Sequence, residues 1–348
     1  MSAPLPTRPA DPVPLALMPR VDQARRYVAQ AKAANTLRSY RTGWQHFVTW
    51  CAAHALPALP ATPQTLVLYL AARAEQVTPG TLASRVAAIR FFHQQRGHES
   101  PTTHPLVRDV LSGIRRTRGT RPAQVHGLTR DLLTRLLQAT GDSLRDRRNR
   151  ALVAVAYDLL GRRSELVALL VEDLGRAADG SATVLLRRSK TDPEGTGVPL
   201  YLAPDTMLYV EAWLAAAGIT TGRLFRALTK GGRVRERLSP DAVARVFKQM
   251  TQAAGLAPQL VQGIAGHSAR VGAAQDMAVH GIDLAGIMQA GRWKTPQMAG
   301  RYIERITARR GAAAQLAARQ HRLDASRASE QVRPCAGDAG SVLDVEMD

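Results

Sequence analysis

Between Leu37 and Ile114 the apolar residues recur at helical spacing, and no alternating strand pattern interrupts them. Leu37, Tyr40, Trp44, Phe47, Val48 and Cys51 form one such stripe, which predicts a long amphipathic helix capped by Asn35. Thr62-Pro63 pairs a cap with a first-turn proline and opens a helix through Leu66, Val67 and Leu70. Another is expected from Thr81 through Leu82, Val86 and Ile89 to a stop at Gly97, and a shorter one from Pro105 to Ile114. With residues 21–33 these make a compact helical domain of about five helices.

The stretch from Arg115 to His126 is basic, holds Gly and Pro and has no apolar period, so it reads as a linker, bounded at 117–127. Beyond it the pattern is mostly helical with one β element. Residues 182–188 and 198–203 are short β-rich runs joined by a loop of Asp, Pro and Gly, which predicts a hairpin. Ser239-Pro240 and Thr295-Pro296 mark two further helix starts. The expected fold class is mainly α with a small β element, a helical N-terminal domain over 21–116 and a mixed α/β domain over 128–323. Residues 1–20 are proline-rich and residues 324–348 acidic and aperiodic, so both are expected to be disordered.

A chain of 348 residues is long enough for two such domains. Its 47 Lys+Arg against 28 Asp+Glu leave a formal charge of +19, which calls for an acidic partner. Nucleic acid, an anionic membrane surface and a general arginine bias all fit that excess. No apolar run reaches the ~18 residues of a bilayer span, so a membrane protein is not expected. The leader lacks the pattern of an export signal, and two distant cysteines, Cys51 and Cys335, make no disulfide framework. Both features fit a cytoplasmic, nucleoid-associated protein. Cys51-x-x-His54 has no second ligand pair, so core packing is favoured over zinc.

Five short segments carry residues suited to phosphate chemistry: Arg162-Arg163-Ser164-Glu165-Leu166, Ser189-Lys190-Thr191, Gly266-His267-Ser268-Ala269-Arg270, Gly291-Arg292-Trp293 and Arg301-Tyr302-Ile303. Each alone has a plainer reading, as solvated charge or as packing. Tyr302 has Ala299, Ile303 and Ile306 at helical spacing and alone would be a core residue.

In this order, the segments resemble the tyrosine recombinase, or phage integrase, family, whose pattern is Arg, Lys, His-x-x-Arg, His or Trp, then Tyr. The intervals from His267 to Trp293 and from Trp293 to Tyr302 also match, and the likeness extends over residues 20–323. The resemblance implies that Arg162, Lys190, His267, Arg270 and Trp293 serve catalysis, with Glu165 as the accompanying acid and Tyr302 as the nucleophile. It further implies a C-shaped clamp on duplex DNA carrying an inverted-repeat site. A homotetramer on two sites, joined by exchange of the Ala-rich segment around 312–322, and a Holliday junction complete the expectation. One local departure is Arg292, where close members of the family place glycine.

Elementary chemistry agrees with these residue types. In-line cleavage of a phosphodiester needs a nucleophile, an acid for the departing 5′-hydroxyl and donors for the phosphoryl oxygens. A phenol ordinarily titrates near ~10, so a cationic field must favour its phenolate. Two arginines can supply that field and fork onto the non-bridging oxygens. The chain has no Walker loop and no convincing metal-ligand spacing, so neither ATP, metal nor other cofactor is expected. Arg38, Arg41, Arg85, Arg90 and Arg245, on predicted helices, are candidate DNA contacts. The rival functions are a telomere resolvase or type IB topoisomerase-like strand transferase, and a DNA-binding protein that has lost catalysis.

Overall fold

Caps written in the sequence set the helix boundaries of the N-terminal half. The computed structural model describes residues 15–121, 124–192 and 194–320. Residues 1–14 and 321–348, most of the expected leader and tail, lie outside the described residues. The chain divides into two compact units, Met1–Ala123 and Gln124–Asp348.

The first unit contains α1 (Met18–Gln30), α2 (Ala34–Ala53), α3 (Pro63–Arg73), α4 (Pro79–Gln95) and α5 (Pro105–Arg118). Thr62 caps α3 by accepting from the Thr65 amide at 3.1 Å. Thr78 does the same for α4 from Thr81 at 3.2 Å, so that helix starts at a Thr-Pro pair upstream of the expected Thr81. Asn35 does not cap α2; it lies within the first turn, and Ala33 is the cap residue without a side-chain bond. Helix α5 runs through Arg118 and takes Arg115, Arg116 and Arg118 from the expected linker. Cations suit that final turn because the last carbonyls carry partial negative charge, and Gly119 at φ +69° ends it.

The apolar faces of α2 to α5 close on Phe47, Trp50, Leu66, Tyr69, Leu82 and Val107, with Cys51 in the same core. Burial pushes the Cys51 thiol up to about 11. His93 is buried among them with both ring nitrogens used: Nε2 accepts from the Ala61 amide at 3.0 Å and Nδ1 donates to the Ile89 carbonyl at 2.8 Å. That pairing requires the neutral ring, and burial lowers its pKa accordingly.

The second unit contains α6 (Arg130–Ala139), α7 (Leu144–Asp158), α8 (Arg163–Leu166), the strands β1 (Leu174–Arg176), β2 (Ala182–Leu186) and β3 (Val198–Leu202), then α9 (Pro204–Ala217), α10 (Pro240–Ala253), α11 (Pro258–Gly263), α12 (Ser268–Val279), α13 (Leu284–Gly291), α14 (Pro296–Arg310) and α15 (Ala312–Arg319). The strands form an antiparallel sheet in the order β1-β2-β3, with Val184 opposite both Leu174 and Leu200. Strand β1 escapes sequence reading because it is three residues long and centred on Gly175. Helix α7 is buried from Ala151 to Ala156 and forms the spine of the larger core, while Leu160, Ala273, Ala274, Ile287, Trp293, Ala299 and Ile303 make a smaller one.

Helix α12 meets the chain at Leu128 without room for a side chain. The Leu128 amide donates to the Ser268 carbonyl at 2.8 Å, and a β-carbon on Gly272 would lie 1.9 Å from the Leu128 carbonyl oxygen. Gly272→Ala should therefore cost roughly 3 kcal/mol or more in urea unfolding. Gly300→Ala is the control: nothing lies within 4 Å of its added carbon, and the helical alanine should stabilise by about 0.5–1 kcal/mol.

Candidate active site

The turn from α7 into α8 builds the first half of the site. Leu160 takes a left-handed φ of +46° and Gly161 lets Leu166 pack closely, since a β-carbon there would sit 2.6 Å from Leu166 Cδ2. The chain reversal presents Arg162 at the start of α8, where its amide donates to Glu165 Oε2 at 3.0 Å and its Nη1 donates to Glu165 Oε1 at 2.6 Å. The two residues thus close a ring at the helix start, with Arg162 as the cap of α8 and Glu165 as its third residue. Glu165 is only 4% exposed and has a second cation, Arg292, whose Nη2 lies 2.9 Å from Oε2.

His267 and Arg270 frame the start of α12. Arg270 is 2% exposed, and its Nη1 donates to the Leu160 carbonyl at 2.6 Å while Nη2 donates to the Gly291 carbonyl. Its guanidinium carbon stands 4.2 Å from the Trp293 ring centre, and Trp293 in turn packs against Tyr302 with centroids 5.1 Å apart. Trp293 reaches this place by lying over Gly291, where a β-carbon would come within 2.0 Å of the indole. The half-buried Tyr302 is held on α14, whose backbone receives hydrogen bonds from Gln275 at the Tyr302 carbonyl (3.4 Å) and from Gln124 at the Arg301 carbonyl. Arg162, Glu165, Arg270, Trp293 and Tyr302 are therefore linked by contact or mutual field.

The field is strongly cationic. Burial pushes Arg270 down to about 10, helped by repulsion from Arg162 and Arg292; it remains charged at neutral pH. The His267 ring is partly open to solvent, yet the surrounding protein lowers its pKa, with Arg270, Arg163 and Arg162 adding to the effect and Glu165 opposing it. Its imidazole is neutral at pH 7 and can accept a proton. Burial alone would raise the Glu165 carboxyl, but the Arg162 amide, the Arg162 side chain and Arg292 overcome it and hold the group ionised. Arg163, read from sequence only as the residue between Arg162 and Ser164, joins this field. It lies over Gly266, where a β-carbon would meet its Cδ at 2.2 Å, and pairs with Asp241 at 3.1 Å.

Lys190 is not brought into that cluster. It is exposed in the β2–β3 loop, and no hydrogen bond or ion pair joins it to the other candidates among the described residues. The loop is nonetheless organised: Asp192 accepts from the amides of Gly195 (3.1 Å), Thr196 (3.2 Å) and Gly197 (2.9 Å), which lowers its pKa. Of the arginines proposed to contact DNA, Arg38 and Arg85 share a groove of about 300 Å³ between α2 and α4 with Asn35, Thr42, His46 and Thr81. Arg85 is half buried and donates to the Tyr69 hydroxyl at 3.2 Å. Arg41, Arg90 and Arg245 are exposed and lie outside that groove. The polar face at positions 35, 38, 42 and 46 was readable as the complement of the α2 apolar stripe.

Comparison with known proteins places this arrangement. The phage integrase family pattern matches residues 84–309, and the N-terminal SAM-like domain of phage integrases matches residues 23–99. An integrase/recombinase XerD homologue of Selenomonas ruminantium is 33% identical over 293 residues, covering 81% of this chain and 85% of its own length. The Cre recombinase of Escherichia phage P1 is 28% identical over 306 residues, covering 82% and 89% respectively. In fold, the chain is similar to the XerH site-specific recombinase in a post-cleavage complex with its palindromic difH substrate, at a TM-score of 0.56 and 17% identity over 73% of this chain and 71% of that one. On the extent of these matches, the protein is a member of the phage integrase family of tyrosine recombinases.

Proposed function

We propose that the protein is a site-specific DNA recombinase that cleaves and rejoins duplex DNA through a 3′-phosphotyrosyl intermediate. The observation that carries this reading is the cationic cluster of Arg162, Arg270 and Arg292 beside Tyr302 in a chain of this family. In this reading Tyr302 Oη attacks the phosphorus in line, and the Oη–P bond forms as the P–O5′ bond breaks. The phenolic proton passes to neutral His267, and Lys190 moves in with its loop to protonate the departing 5′-oxygen. Arg162 and the unengaged edge of Arg270 hold the charge on the non-bridging oxygens. The phosphotyrosyl bond keeps the energy of the broken linkage, so a 5′-hydroxyl from another strand can reverse the step and exchange strands through a Holliday junction.

The partner in this proposal is duplex DNA with an inverted-repeat site, held both by a helical N-terminal domain that runs through the end of α5 and by a catalytic domain over 128–323. Arg38, Arg41, Arg85, Arg90 and Arg245 grip phosphates or base edges. Four protomers on two sites, linked through α15, complete the assembly. Grip by many arginines should be salt-sensitive, with log K falling by about 0.9 per neutralised phosphate per decade of salt. Filter binding against NaCl measures that slope, and a flat response would remove DNA grip as the role of the basic excess.

The decisive experiment uses a duplex that the protein itself selects from a random-sequence pool. Nicked near the bound centre, it should trap a protein–DNA adduct that survives a denaturing gel. Plasmids with two copies of the site should yield deletion or inversion products, whereas relaxation or hairpin ends alone would favour the topoisomerase or resolvase alternative. Binding without any adduct would refute the enzyme reading.

A further inference from the structure

Arg292 stands where the backbone suits glycine. It ends α13 in the left-handed region at φ +55°, a costly conformation for a residue with a β-carbon. Its side chain is 9% exposed and its buried Nε–H has no hydrogen-bond partner among the described residues. A strained backbone and an unpaired buried donor persist together only where other contacts over-determine the residue. Here they do: Nη1 donates to the Leu159 carbonyl at 3.0 Å and the Ala290 carbonyl at 3.2 Å, and Nη2 pairs with Glu165 at 2.9 Å. Arg270 takes the next carbonyl on each side, Leu160 and Gly291. Two guanidiniums thus stitch the end of α7 to the end of α13.

We propose that Arg292 is a positioning residue for strand cleavage, acting through Glu165 to aim Arg162 and to keep the cluster in cationic excess. The proposal rests on the recombinase reading above. Glu165 Oε1 accepts from Arg162 Nη1, while Oε2 is filled by the Arg162 amide and by Arg292 from the other side. With Oε2 occupied, the carboxylate does not pair fork to fork with the Arg162 side chain, and an edge of that guanidinium stays free for a phosphate. Charge works in the same direction. Three guanidiniums, Arg162, Arg270 and Arg292, stand around one carboxylate; without Arg292 the positive excess falls by one charge, and Glu165 is left with Arg162 as its hydrogen-bonded cation. The side-chain contacts of Arg292 are with Leu159, Ala290 and Glu165, so it acts through these partners.

The test compares Arg292→Gly, Glu165→Gln and the double variant on the nicked duplex selected by the wild type. Glycine accepts the left-handed backbone, so the fold should survive. Arg292→Gly should bind the duplex as wild type does yet form the adduct about 10- to 100-fold more slowly. Adding Glu165→Gln to it should recover part of that rate, because a neutral amide no longer cancels Arg162. Wild-type adduct rates in Arg292→Gly, or a double variant no faster than Arg292→Gly, would overturn the proposal. Failure of the recombinase reading shows separately, as a wild type without any Tyr302-dependent adduct. Urea unfolding reads the pairing without catalysis: the double variant should be more stable than the summed losses of the two single variants, and strict additivity would sink the pairing.

Discussion

Tyr302→Phe should abolish the covalent DNA adduct while leaving the fold and duplex binding intact. Phenylalanine keeps the ring that packs against Trp293 at 5.1 Å and beside the small core of Ile287, Ala299 and Ile303. What it lacks is the Oη that would bond to phosphorus. The ring of Tyr302 is already half buried, so unfolding in urea should shift by no more than about 0.5 kcal/mol. The trapped band on a denaturing gel should disappear altogether, since phenylalanine offers no oxygen to the phosphorus. An undiminished band would move the nucleophile elsewhere and undo the assignment of Tyr302.

Arg270→Ala should lose both stability and cleavage. In the sequence this arginine is assigned to catalysis by family resemblance, which leads one to expect that its removal keeps DNA binding and loses cleavage. The structure gives it a second duty, because it is 2% exposed and satisfies the Leu160 and Gly291 carbonyls while packing under Trp293. Removing it leaves two buried acceptors unpaired and a gap beneath the indole, which should cost about 2–5 kcal/mol in urea unfolding. Among folded molecules the adduct rate should fall by ~10²–10³-fold, the usual effect of deleting one charge-stabilising donor. Single-turnover kinetics at a temperature where the variant is still folded separates the two losses. Wild-type stability with lost cleavage would mean that the carbonyl contacts contribute little. Wild-type cleavage would remove Arg270 from the chemistry.

The parts of the molecule legible in the sequence are those governed by local chemistry. Thr62-Pro63 and Ser239-Pro240 announce α3 and α10 because a side-chain oxygen and a fixed proline φ act within one turn. The same logic was available at Thr78-Pro79, where the start of α4 lies, and the expected start at Thr81 overlooked it. The end of α5 was less legible, since Arg115, Arg116 and Arg118 look like linker residues until the helix carbonyls beside them are known. Within the site, Arg162 and Glu165 are three residues apart, and their pairing is the local contact between the cap of α8 and its third residue.

Long-range contacts are another matter. Arg270 reaches the Leu160 carbonyl across 110 residues of chain, and Arg292 reaches Leu159 and Glu165 across 133 and 127. Nothing in a local pattern shows which carbonyls a guanidinium will find. In sequence Arg292 is only a departure from a family glycine; in three dimensions it is the residue that holds Glu165 from behind. Lys190 shows the converse: it fits the family order, yet it stands exposed on its loop with no hydrogen bond or ion pair to the other candidates among the described residues. By itself the sequence determined the helical class, the hairpin and the family, and it named the candidate reacting groups, because periodicity, caps and residue order are properties of neighbouring positions. Only the tertiary structure decided which arginines are buried, what they hold and how the cluster keeps its positive charge, because desolvation and pairing depend on the distant segments that packing brings together.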